Sequence, residues 1–230
     1  MSRFLLSCSL LIALSSVATA DRIAPSFAKP PVAVASIAPT EPAELRIDPH
    51  SALDRTAVRT ALIRARATNL AAFRAYQKKG VFPSNTYTGQ KLNVWLDEDG
   101  HFCAAATIIK MSGRDALVFQ VADQNNFIRL ADVKQGPLMD WILTSGFTQD
   151  EIAAIQEPFM PVTETPVAEP QEPVLVDAKL RKAEDARLRA KYRAVERMLV
   201  KSQKRSIDLA VDRLMAHREL AWKLVSSQSV

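Results

Sequence analysis

The sequence predicts a mainly α fold with a small β-hairpin (α+β), in which a compact central domain is followed by a long C-terminal amphipathic helix. Three observations support this prediction. Eleven of the thirteen prolines fall in two stretches, all six glycines lie between Gly80 and Gly146, and residues 177–225 contain neither proline nor glycine. Proline-dense chain is extended and solvated. The sequence therefore divides into two linkers, one domain and one helical tail.

The first twenty residues have the pattern of a secretory signal peptide. Arg3 precedes an apolar run at 4–17, and small residues lead up to Ala20. A segment of this kind is cleaved after the small residues, so we expect the mature chain to be exported to the periplasm or out of the cell. The alternative, a lipid anchor on Cys8, is disfavoured because most of the apolar run would follow the cleavage site.

The mature chain is predicted to contain four segments. They are a proline-rich linker at 21–49, a compact helical domain at 50–157, an acidic proline-rich linker at 158–175 and a basic amphipathic helix at 176–230. A domain of this length can bury about 60–68% of the surface of its unfolded chain.

Helices are predicted at both ends of the central domain. The first is expected from about Ser51 to Lys78, with Gly80 as its stop. Apolar residues in this stretch recur at steps of three and four residues, with one polar member; the positions are Val58, Leu62, Ala65, Asn69, Phe73 and Tyr76. Near the end of the domain, Pro137 suits the first position of a helix that stops at Gly146. A capping box from Thr148 to Glu151 then predicts a last helix to about Gln156.

Residues 91–105 are predicted to form the hairpin. Asp97 and Gly100 suit a type I turn with a G1 bulge, because this turn needs a left-handed residue where the glycine stands. The turn also fixes the register. It pairs Leu96 with Phe102 and Val94 with Ala104 on an apolar face, and Asp97 with His101 and Trp95 with Cys103 on a less apolar face.

Asp97, His101 and Cys103 are the candidate catalytic residues, and they suggest an alternative function as a small hydrolase-like enzyme. The hypothesis is weak, because side chains two residues apart on a strand point in parallel rather than towards each other. No phosphate-binding glycine loop, nucleophile elbow or zinc-protease motif occurs in the chain. Cys103 is the only cysteine after the predicted cleavage site, so we expect a buried, apolar thiol rather than an intramolecular disulfide.

We expect no metal ion and no cofactor at this turn. A calcium loop counted from the glycine would place Trp95 and Ala106 at positions that require carboxylates. A zinc site needs about four ligands, and only three candidate side chains lie near the turn.

The formal net charge of +5 comes from the C-terminal segment. From residue 176 to the end there are fourteen Lys and Arg residues against seven Asp and Glu residues. The segment is predicted to be one helix. A first apolar stripe contains Leu188, Tyr192, Val195 and Leu199; Ser202 and Ser206 follow in phase, and a second stripe contains Ile207, Val211, Leu214, Ala221 and Val225. The candidate binding residues lie on the opposite side: Lys182, Arg189, Arg193, Arg197, Lys201 and Lys204.

Three roles for this helix follow from its pattern. Its apolar stripe can dock on its own domain or on a second copy as a coiled coil, and its basic side can bind an anionic envelope surface. Nucleic acid is the least favoured partner, because no aromatic residues interleave the basic ones. The predicted function is therefore a non-enzymatic envelope or extracellular interaction or structural protein, whose partner is a protein, a second copy or an anionic surface.

Overall fold

A computed structural model describes residues 53–164 and 175–227. Within these ranges the chain forms seven α-helices and one turn of 3₁₀-helix at Leu130–Asp132. The helices are α1 (Arg55–Lys79), α2 (Ala104–Met111), α3 (Asp115–Gln124), α4 (Pro137–Thr144), α5 (Gln149–Ile155), α6 (Ala178–Met215) and α7 (Arg218–Ser226). The predicted signal peptide, the linker at 21–49 and most of the acidic linker lie outside the described residues. None of the described helices combines the length and the apolar character needed to cross a bilayer.

Three of the predicted helices are present close to their expected bounds. α1 begins after Asp54, whose carboxylate accepts a hydrogen bond from the Thr56 amide at 2.8 Å, and it ends at Gly80 in the left-handed region. α4 begins at Pro137, as predicted. α5 begins with the predicted capping box, in which the side chains of Thr148 and Glu151 bond to each other's backbone amides.

The predicted hairpin at 91–105 is not formed, because no strand occurs in the part of the chain that the structure describes. The turn has the predicted register, with Leu96 and Phe102 in an isolated antiparallel bridge. The segment after the turn does not continue as a strand, because Cys103 is the N-cap of α2 and Ala104 is the first residue of that helix. The segment before the turn is bonded instead to the side chain of Asn126. This side chain accepts a hydrogen bond from the amide of Leu96 at 2.9 Å and donates one to the carbonyl of Leu96 at 2.8 Å.

The prediction that Trp95 and Cys103 lie on the less apolar face is wrong. Trp95 is 0% exposed and Cys103 is 1% exposed. Both belong to the larger of two clusters of buried apolar residues, which we call the main core and which also contains Phe73, Tyr76 and Ile108. The indole N–H of Trp95 donates to the carbonyl of Val118 at 3.0 Å. Val118 lies on α3, which the sequence did not predict, as it did not predict α2. α2 and α3 pack against this side of the turn, so Trp95 and Cys103 are buried there.

The C-terminal helix is shorter than predicted. α6 is continuous through the segment at 201–206, where the apolar stripe changes phase, but it ends at Met215 and α7 follows. α6 lies antiparallel to α1, because the pairs between them run in opposite directions along the two helices: Arg55 with Asp212, Arg59 with Asp208, and Arg74 with Glu196.

α6 packs on its own chain through both of its apolar stripes. The first stripe lies in the main core together with residues of α1 and α2, which include Phe73, Tyr76 and Ile108. The second stripe packs with Val58 and Leu62 of α1 in a smaller cluster. Docking on its own domain is therefore the role that the structure gives the stripe, and the core is shared across the predicted boundary between 50–157 and 176–230.

A buried ion pair separates the two apolar clusters. It lies between them in the direction of α1 and also in the direction of α6. Arg66 is 2% exposed and Glu151 is 4% exposed, and two N–H···O bonds of 2.8 Å join them. Arg66 also donates to the carbonyl of Leu199 at 2.7 Å. The hydroxyls of Ser202 and Ser206 donate to Glu151 at 2.8 and 2.7 Å. We call Arg66, Glu151, Ser202 and Ser206 the ionic layer; it explains why these two serines interrupt the apolar stripe.

Burial alone would raise the pKa of Glu151. Hydrogen bonds from Arg66, from the Thr148 amide and from Ser206 outweigh that effect, so the pKa lies below its ordinary value. The carboxylate is therefore charged at neutral pH, which matches the charge of Arg66 and leaves the layer neutral.

We predict that Glu151→Gln lowers the free energy of unfolding by about 3–5 kcal/mol, because it leaves the Arg66 charge buried without a counter-charge. Urea unfolding of the two proteins measures the difference. Glu196→Gln is the matched control, since it also removes a carboxylate that pairs with an α1 arginine, but the Arg74 and Glu196 side chains are 54% and 27% exposed. The control should cost less than about 1 kcal/mol. Equal losses in the two variants would contradict a special role for the ionic layer.

Gly146 lets the connection between α4 and α5 approach α1 closely. Its φ is 78°, and an added Cβ would lie 2.3 Å from the carbonyl oxygen of Leu62 and 2.7 Å from Cβ of Arg66. The Gly146 carbonyl itself accepts a hydrogen bond from Arg66 at 2.9 Å. Any side chain at this position would therefore push the connection away from the ionic layer.

We predict that Gly146→Ala lowers the free energy of unfolding by at least about 3 kcal/mol, because steric overlap adds to the backbone strain. Gly113→Ala is the control: φ is 81° there, but no atom lies within 4 Å of the added Cβ. Gly113→Ala should lower the free energy of unfolding only by the cost of placing an alanine in the left-handed region, about 1–2 kcal/mol. Thermal or urea unfolding compares the two, and equal effects would show that the close approach is not stabilising.

Candidate functional site

Asp97 is a structural carboxylate that ties the turn to the preceding segment. Its side chain is 2% exposed. It accepts hydrogen bonds from the amide of Ser84 at 2.9 Å and from the amide of His101 at 2.7 Å. Its second contact with His101 is a 3.2 Å approach to Nδ1. The carboxylate is thus occupied by bonds that shape the turn.

Cys103 is a buried thiol inside the main core, as the sequence predicts. Its Sγ accepts a hydrogen bond from the amide of Ala106 at 3.4 Å, which caps α2. Burial raises the pKa of the thiol to about 12, although backbone hydrogen bonds partly offset that effect. Since the thiolate is the nucleophilic form, Cys103 is not a reactive nucleophile at neutral pH.

A surface cavity of about 540 Å³ lies beside His101. Lys79, Thr107 and Lys110 also line it, but neither Asp97 nor Cys103 does. The three candidate catalytic residues therefore do not converge on one cleft.

The same turn contains a group of potential metal ligands, of which the sequence singled out Asp97 and His101 but not Asp99. One ligand atom each from Asp97, Asp99 and His101 lies within 4.8 Å of the others. Cys103, which the sequence placed beside these residues, is not part of this group. The hydrogen bonds of Asp97 already account for the arrangement as the chemistry of a tight turn.

α6 carries an uneven distribution of charge. It contains twelve Lys and Arg residues against five Asp and Glu residues, and each of the five carboxylates has a cationic partner. Three carboxylates pair with arginines of α1, and the other two pair within α6 itself. The pairs are Glu196 with Arg74, Asp208 with Arg59, Asp212 with Arg55, Glu184 with Arg187, and Asp185 with Arg181.

The six predicted binding residues all lie on the exposed side of α6. We call them the basic face: Lys182, Arg189, Arg193, Arg197, Lys201 and Lys204. Arg189 lies over the ring of Phe82 at 5.7 Å and donates to the carbonyl of Gly80 at 3.3 Å. Within residues 53–164 and 175–227, none of the six has a carboxylate partner. By contrast, Arg187 and Lys191, which flank this side, both pair with Glu157.

A shallow depression of about 390 Å³ lies in the middle of the basic face. It is lined by Arg193, Glu196, Arg197, Val200 and Lys201. The Glu196 carboxylate accepts hydrogen bonds from Arg74 at 2.7 Å and from Gln77 at 3.0 Å. The bond from Arg74 is the main cause that lowers its pKa.

Sequence reasoning found the three cations of this depression but missed Val200, which is 50% exposed. Its position was readable, because it lies three residues after Arg197 and four before Lys204, and therefore on the same side of the helix. The depression thus combines three cations with one exposed apolar side chain.

We predict that, from about pH 8 to about pH 10, wild type loses about 1 kcal/mol more free energy of unfolding than Cys103→Ser. In the unfolded chain the thiol ionises near its ordinary pKa of 9.0, whereas in the folded chain it ionises near 12. Rising pH therefore favours the unfolded chain between these values. The serine keeps an oxygen for the α2 cap but does not titrate in this window. Urea titrations across the window measure the difference, and parallel curves would contradict the prediction.

Comparisons of the chain with protein-family models, with curated proteins and with solved structures find no match.

Proposed function

We propose that the protein is an exported, non-enzymatic envelope or extracellular interaction protein that binds an anionic partner through the basic face. The observation that carries the proposal is the asymmetry of charge pairing on α6. All five carboxylates of the helix are paired, whereas the six cations of the basic face have no carboxylate partner among the described residues. Export rests on the predicted signal peptide at 1–20.

The arrangement of the basic face is unfavourable for the fold itself. Arg189, Arg193, Arg197 and Lys201 follow one another at steps of four residues. Like charges at this spacing repel across one helical turn and destabilise a helix by about 0.2–0.5 kcal/mol per pair. A series of such pairs supports a role in binding, because an anionic partner would relieve the repulsion.

The apolar stripe of α6 is already used within the chain. Leu188, Tyr192 and Leu199 are each 0% exposed, so self-association through this stripe would require the main core to open. A partner of the folded protein has access to the opposite, basic side instead. This favours an oppositely charged partner over a coiled coil with a second copy.

The alternative hypothesis of a hydrolase-like enzyme receives less support. Asp97, His101 and Cys103 do not line one cleft, and the raised pKa of Cys103 keeps its thiol protonated at neutral pH. Nucleophilic catalysis needs a nucleophile within reach of its base. The interaction function is therefore the better account of the site.

We predict that changing Arg189, Arg193, Arg197 and Lys201 to glutamate weakens binding to dextran sulfate beads at low salt by about tenfold or more, because the local field reverses sign. Wild-type binding should weaken as salt is added, since screening shortens the range of exposed charges. Bound and free protein are measured by sedimentation of the beads. Circular dichroism confirms that the variant is folded.

The matched control changes Lys91, Arg114, Arg129 and Lys134 to glutamate. All four are exposed and lie outside α6, so the net charge changes by the same amount as in the test variant. This control should retain binding close to that of wild type. Equal losses in the two variants would show that net charge acts rather than the basic face. Absence of wild-type binding at low salt would refute the proposed function.

A further inference from the structure

We propose that the anionic partner is the surface of a phospholipid bilayer, and that the depression around Val200 is the point of contact. This inference rests on the proposed function and names its partner. Val200 enters the boundary between head groups and acyl chains, while Arg193, Arg197 and Lys201 bind lipid phosphates.

Val200 lies among the cations of the basic face. At 100° per residue, Val200 lies within about 60° of Arg193, Arg197 and Lys204 on the helix surface. The Val200 side chain is 50% exposed, and Arg193, Arg197 and Lys201 line the same depression. Exposed apolar groups beside Lys and Arg are the combination with which helices lie in a membrane interface.

Glu196 is the one carboxylate that lines the depression. Its oxygens accept hydrogen bonds from Arg74 and Gln77 of α1, so the charge of the Arg74 side chain balances that of the Glu196 carboxylate. Arg193 and Arg197 therefore remain available to a phosphate, which a guanidinium group can bind with two parallel hydrogen bonds.

The basic face is straight and exposed over a limited length of α6. It runs along this continuous helix from Lys182 to Lys204, about 33 Å at 1.5 Å per residue, and beyond it the same side of the helix is buried at Ile207 and Val211. A rigid stretch of helix with cations along one side can lie flat on a planar anionic surface. A soluble polyanion would also meet these charges, but it offers no acyl boundary for Val200. The apolar contact of Val200 therefore distinguishes a bilayer from a soluble polyanion as the partner.

The test compares Val200→Ser with Leu209→Ser. Leu209 is a matched control, because it is 44% exposed on the same helix and points about 180° away from Val200. Binding is measured by flotation with vesicles of phosphatidylcholine that contain phosphatidylglycerol. We expect Val200→Ser to weaken binding about fivefold, as for loss of half a buried valine side chain, and Leu209→Ser to leave it unchanged. Neither substitution should change binding to dextran sulfate.

A second measurement reports depth directly. The added fluorescence of a Val200→Trp variant should be quenched by lipids with brominated acyl chains, whereas that of a Leu209→Trp variant should not. The signal of Trp95, Trp141 and Trp222 is subtracted in both cases. Equal behaviour of positions 200 and 209 would overturn the bilayer inference. If dextran sulfate binding still depends on the basic face, the proposed function survives that result. If charge reversal leaves all binding intact, the proposed function fails first and the bilayer inference fails with it.

Discussion

The bidentate pair between Arg66 and Glu151 is the constraint on which the rest of the structure depends. It joins α1 to α5, and the serine hydroxyls of α6 complete the shell of the carboxylate. A buried charge that loses its partner is strongly destabilising. Sliding α6 along α1 by one turn would separate Ser202 and Ser206 from Glu151, so the ionic layer fixes the register of the two longest helices.

That register also determines which side of α6 faces the solvent. With both apolar stripes held in the interior, the side that carries Arg193 and Arg197 must point outward. The carboxylates of Glu196, Asp208 and Asp212 pair with arginines of α1. The packing of α6 thus removes negative charge from its exposed side. The positive potential of this surface is a consequence of how the helix docks as well as of its composition.

Local signals in the sequence were sufficient for the elements that local chemistry decides. The apolar periodicity of α1, the proline at the start of α4 and the capping box of α5 all act within one or two turns of helix. The turn at Asp97 and Gly100 is local in the same way. Each was predicted because the interactions that form it lie between residues close in the chain.

The two helices and the buried ion pair that sequence reasoning missed depend on contacts between distant residues. The short apolar run after Cys103 is compatible with a strand or a helix, and packing against α1 and α3 decides for the helix. Arg66 lies on the apolar side of α1, four residues after Leu62 and seven before Phe73, and only the position of Glu151 explains how its charge can be buried there. The candidate site divides likewise: its cations were visible in the sequence, while the neutralisation of Glu196 required the position of Arg74.

Because Cys103 is buried, its reactivity reports the opening of the main core. An exposed thiolate reacts with an added thiol reagent such as iodoacetamide, which displaces iodide. Here the single thiol in the described part of the chain lies at 1% exposure inside the main core, so the reaction must await a fluctuation that separates α2 from its neighbours. Such openings are governed by local stability rather than by thiol chemistry. The fraction of Cys103 that is alkylated after a given time would therefore measure how often α2 separates from the rest of the core.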